Sequence, residues 1–174
     1  MKRIVYGMFA LTLIAALAVV SGCCPKCGHK SKMGKEGVYC PAPEGEAVVD
    51  YITRENPYQN WDLWPGKGKM YEGQHPHGAY LTTYVSPLAY GAIEDKGGEI
   101  LDTSFIVKEN YTPEKKLAAI TVMYKKDGYN PEGGDWFWLK FTPEGKIQKE
   151  GKVAGCINCH KSVKDNDWLF TGPI

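Results

Sequence analysis

Apolar residues run almost unbroken from Ile4 to Val20, after a basic pair at Lys2 and Arg3. A charged start, an apolar stretch and the small residues Ser21 and Gly22 read as a secretory signal over 1–22, outside any fold. The next stretch, 23–45, is rich in Lys, Gly, Pro and Ser and has few apolar positions. It reads as a solvated tether. Periodicity begins in the domain expected over 46–174. Ala47, Val48, Tyr51 and Ile52 recur at helical spacing up to Glu55, and Pro57 ends the pattern. Residues 60–78 carry two Trp, two Pro and several Gly and read as a long loop of the functional kind. Strand-like runs follow at 79–85, 105–109, 117–125 and 136–141. A Pro143-Glu144-Gly145 turn then leads into a fifth at 146–149. Between the first two runs, 87–93 has the length of a two-turn helix, with Ser86 before it and Pro87 at its first position. The expectation is an α+β domain: a small antiparallel sheet of about five strands with one or two helices packed on it.

The aromatic run Trp136 to Phe141 needs large partners on both faces. Alternation puts Ile106 and Lys108 on one face of their strand, and Phe105, Val107 and Glu109 on the other. On the first strand it separates Leu81 from Tyr80 and Tyr84.

The chain has 174 residues and a formal net charge of +1, so nothing in its charge points to nucleic acid. Its six cysteines divide unevenly. Ser21-Gly22-Cys23 resembles a bacterial lipobox, which makes Cys23 a lipidation site and the membrane a partner through that anchor. Cys24 follows it rather than an aspartate, as in lipoproteins of the outer membrane. The competing reading of 4–20 is an uncleaved anchor helix. Cys24, Cys27 and Cys40 remain, an odd number; with His29 they suit either half a zinc knuckle or a disulfide within the tether.

Cys156, Cys159 and His160 spell C-x-x-C-H, the attachment signature of c-type haem. Two thiols at that spacing add to two vinyl groups on one porphyrin edge, and the next residue offers its imidazole to iron. A thioredoxin-type pair requires a βαβ setting that this region lacks, and a zinc site requires a second C-x-x-C in the domain. One haem c per chain is expected, with His160 as the proximal iron ligand.

Taken together, "GAYLTTYVSPLAY", "DTSFIVKE", "GGDWFWLKF", "GCINCHK" and "NDWLFT" resemble, in order and spacing, the cytochrome P-460 family and its cytochrome c′-β relatives over about 46–174. The resemblance implies a small antiparallel-sheet cytochrome, usually a homodimer. It also implies a five-coordinate iron, a redox partner, and a ligand such as NO, CO or hydroxylamine. Lys108 falls on the family's lysine that is linked covalently to the porphyrin. Leu81 falls where the hydroxylamine oxidases carry an arginine, which favours apolar gas binding over oxidation of a polar substrate. No acid lies just before Cys156 to act as a base.

Three residues compete for the other face of the iron. His75 and His77 flank Pro76 in a loop and could make a six-coordinate cytochrome, the alternative to an open site. Met123 lies on a strand and suits either an axial thioether or core packing.

Overall fold

In a computed structural model, residues 40–174 are described, and Tyr39–Ile174 form one compact unit. Cys23, Cys24, Cys27 and His29, with the signal and most of the tether, lie outside the described residues.

The core is one antiparallel sheet. Its strands are β1 (Asp62–Leu63), β2 (Tyr71–Glu72), β3 (Tyr80–Val85), β4 (Phe105–Tyr111), β5 (Leu117–Lys125), β6 (Trp136–Phe141) and β7 (Ile147–Gly151). The order is β1-β3-β4-β5-β6-β7, with β2 also on β3. Thus β1 pairs with the Tyr84–Val85 end of β3, and β2 with its Tyr80–Leu81 end. These two short strands lie in the loop expected over 60–78. Two residues are too few for alternation to mark, and their pairing is supplied entirely by β3.

Helix α1 (Gly45–Asp50) continues into a π-helical turn, Tyr51–Glu55, closed by the Asn56 N–H on the Tyr51 carbonyl at 2.8 Å. Helix α2 (Pro87–Glu94) starts after Ser86, as the proline position predicts. Helix α3 (Ala154–His160) holds the C-x-x-C-H segment, and a 3-10 stretch, Lys161–Asn166, follows it. This last helix was not expected from periodicity, because its seven residues carry too few apolar positions to show a face.

Alternation divides the sheet into two packed layers. On one face Tyr84, Phe105, Val107, Ile120, Val122, Tyr124, Phe137 and Leu139 pack against Val48 and Ile52. On the other, Val85, Ile106, Met123, Trp136 and Trp138 pack under α2 and under Trp168, Leu169 and Ile174, with Cys156 and Ile157 of α3 at the margin. The aromatic strand therefore finds large partners on both faces, each fully buried side chain contributing roughly 1.5–3 kcal/mol.

Candidate functional site

The second face becomes polar in the middle of the sheet. Register places Thr83, Lys108, Thr121 and Lys140 in one cross-strand row. The next row toward the β2 end is Leu81, Asn110 and Ala119, and the row on the other side is Val85, Ile106, Met123 and Trp138. Lys108 and Leu81 thus share the face that alternation predicted, and Tyr84 packs on the opposite one. Leu81 is buried. Met123 lies between Ile106 and Trp138 inside the apolar layer, which is core packing.

Helix α3 lies against this face. Cys156 and Cys159, three residues apart, are on one side of the helix. Both are unpaired thiols, Cys156 half-buried and Cys159 exposed. Burial raises the Cys156 thiol pKa, with Lys149 acting in the opposite sense. His160 ends the helix and is buried. Its ring centroid is 4.7 Å from that of Trp138, 5.0 Å from Phe170 and 6.4 Å from His77.

The His160 ring is oriented by the chain that follows it. Asp167 and Trp168 both adopt left-handed backbone, with φ of 45° and 67°, and turn the chain back toward α3. The Trp168 carbonyl then accepts from His160 Nδ1 at 2.6 Å. A carbonyl can only accept, so Nδ1 carries the proton and Nε2 keeps its lone pair. The turn is clamped from the sheet. Lys125 Nζ lies 2.7 Å from Asp167 Oδ1, the Ile100 N–H donates to Asp167 Oδ2 at 2.8 Å, and Trp136 Nε1–H donates to the Asp167 carbonyl at 3.1 Å.

Across the site, His77 projects from the β2–β3 loop. Its N–H bonds the Gln74 carbonyl at 3.0 Å, and the Gly73 N–H bonds the Ala79 carbonyl at 2.8 Å, closing the loop at its base. Gly78 is required there, since a Cβ would collide with the Tyr111 backbone. That close approach brings His77 Nδ1 to 3.0 Å from Asn110 Oδ1. His75 is exposed and has no part in the cluster.

Desolvation pushes the His77 pKa down to about 4, helped by the charge of Lys108 and opposed by the Asn110 hydrogen bond. It also lowers His160, with Lys108 acting in the same sense and the Trp168 carbonyl opposing. Lys108 is half-buried, but its ammonium is desolvated enough to bring its pKa down to about 8. Both imidazoles are therefore neutral at pH 7, the state in which imidazole binds a metal.

Covalent haem attachment requires two accessible thiols one helical turn apart, beside a neutral imidazole with Nε2 unprotonated. All three are present. Trp138 Nε1, in the ring next to His160, is buried with no hydrogen-bond partner. An unused donor there suits a site whose occupant brings acceptors.

Sequence reasoning missed Asn110, Trp138 and the Lys125–Asp167 clamp. Asn110 could have been found, as it shares the Lys108 face by alternation. A backbone carbonyl such as that of Trp168 leaves no trace in side-chain pattern.

A family model described as Cytochrome P460 matches residues 55–171. No curated protein matches the chain.

Proposed function

We propose, because this chain belongs to the cytochrome P460 family, that it acts as an exported c-type haem protein handling small nitrogen species such as NO or hydroxylamine. When bound, the haem supplies a redox-active iron and a porphyrin with two vinyl attachment points. Cys156 and Cys159 would hold it covalently, and His160 would ligate its iron through Nε2. The observation that carries this reading is the His160 Nδ1 bond to Trp168, which leaves Nε2 bare beside two thiols on the same helix. Lys108, its ammonium destabilised by burial, would offer an amine to the porphyrin. Leu81 brings no hydrogen-bond donor, which favours a diatomic ligand over a polar substrate. The alternative, an electron-transfer cytochrome with a six-coordinate iron, is favoured by the closeness of His77 to His160.

Acidic acetone extraction tests the attachment. The wild-type chain should keep all its haem, and the Cys156→Ala/Cys159→Ala double variant should release it. Retention by the double variant would sink the c-type reading. Tryptic mass spectrometry tests Lys108, as a haem peptide joining its segment to 156–160 would establish a cross-link. Export and lipidation at Cys23 belong to the same proposal and rest on residues 1–23. A Cys23→Ser variant should lose incorporation of labelled fatty acid.

A further inference from the structure

We propose that His77 is the second axial ligand of the iron, so that the resting site is six-coordinate and a small ligand enters by displacing it. The inference rests on the reading that Cys156, Cys159 and His160 hold haem. It replaces the open face implied by the resemblance with a residue that the fold itself puts there.

Both histidines carry the hydrogen bonding of a metal-ligating imidazole, with the remote nitrogen tied to an oxygen. For His160 that oxygen is the Trp168 carbonyl. For His77 it is Asn110 Oδ1, and the orientation of that amide is fixed independently. Asn110 Nδ2 donates to the Lys108 carbonyl at 2.8 Å, the Ala119 carbonyl at 3.2 Å and Thr121 Oγ1 at 3.2 Å. A flipped amide would lose these bonds, so Oδ1 faces His77 and must accept from Nδ1–H. The lone pair of His77 is thereby confined to Nε2. Neither Nε2 has a hydrogen-bond partner among the described residues.

The spacing suits two imidazoles on one metal and leaves no room for a molecule inserted between them. With metal–nitrogen bonds of about 2 Å, two imidazoles sharing one metal through Nε2 have ring centroids roughly 6 Å apart. Fitting a small molecule between the metal and a hydrogen-bonding histidine would widen this to roughly 8 Å or more. The observed separation is 6.4 Å. His77 is also held in place, since the loop is closed at its base and pressed on β4 through Gly78.

Absorption and electron paramagnetic resonance spectra of the haem-loaded full chain provide the test. Wild type should be low-spin and six-coordinate in both oxidation states. His77→Ala should become high-spin and bind CO at least about tenfold more tightly, because the competing ligand no longer lowers the competent fraction. Added imidazole should return it to low-spin, and His75→Ala should match wild type. If His77→Ala does not fold, Asn110→Ala, which releases the ring, should raise the high-spin fraction instead. A high-spin wild type, or a His77→Ala protein that stays low-spin without added imidazole, overturns the proposal. Failure of the haem reading itself looks different: the wild type would release its haem into acidic acetone.

Discussion

Lys108 shows how one residue can sit at a cost that depends on pH. Its pKa is about 8 in the fold against an ordinary 10.5, and burial is the cause. Below pH 8 both folded and unfolded chains hold the proton, and the fold bears the full desolvation cost of the ammonium. Between 8 and 10.5 the unfolded chain holds more protons than the folded one, so stability rises with pH. Above 10.5 neither is charged and the cost has gone. Where mass spectrometry finds the lysine unmodified, Lys108→Met should therefore stabilise the protein at pH 7 by about 1 kcal/mol or more. The gain should shrink through pH 8–10.5 and vanish beyond it. Urea midpoints of both proteins at pH 7 and pH 11 measure this, and an equal gain at both would show that the charge of Lys108 is not the cause.

At the scale of elements, α3 depends on the turn that follows it. The turn in turn depends on a salt bridge between Lys125 and Asp167, both buried. Removing one partner of such a pair typically costs about 3–5 kcal/mol, because the other charge is left desolvated. Asp167→Asn keeps the left-handed backbone that Asn tolerates, and should cost stability of that order. It should also loosen the Trp168 carbonyl and so shift the iron–histidine stretching band of the ferrous, CO-photolysed protein. A drop in stability with an unmoved band would make the pair a plain structural one. Adding Lys125→Met to Asp167→Asn should recover part of the stability, since no lone charge then remains. This clamp was not legible in the sequence. Lys125 reads as a strand-end lysine and Asp167 as a loop acid, and only folding brings them together across 42 residues. The strands were legible, because β5 and β6 are short runs of β-branched, apolar and aromatic residues bounded by turn signals, the composition that burial on both faces demands.

The whole molecule joins the sheet, which runs of β-branched and aromatic residues revealed, to loops that such runs could not show. The C-x-x-C-H spacing announced the thiols and His160, whereas the place of His77 follows from the packing of Gly78 on β4. The start of the folded unit is a similar case. Composition changes at residue 45, yet buried positions occur upstream of it. Pro41 is among the fully buried side chains, and its carbonyl accepts from Tyr124 Oη at 3.0 Å, the tyrosine itself lying fully inside the core. Tyr124 is stacked on Phe105 at 4.2 Å between ring centroids, so this short segment closes the layer packed against α1. Two shortened chains behind a plain periplasmic signal test its weight. One beginning at Tyr39 should be soluble, red and as stable as the full-length protein. One beginning at Gly45 should also be red, since none of the described residues 40–44 belongs to the His160 site. It should unfold more easily by about 1–3 kcal/mol, the loss expected for one buried hydrogen bond and a covering side chain. Urea denaturation followed by tryptophan fluorescence gives both midpoints. Equal midpoints would mean that Pro41 is only a passive cover. Haem loss in the Tyr39 chain would instead assign a role in haem retention to the cysteines upstream.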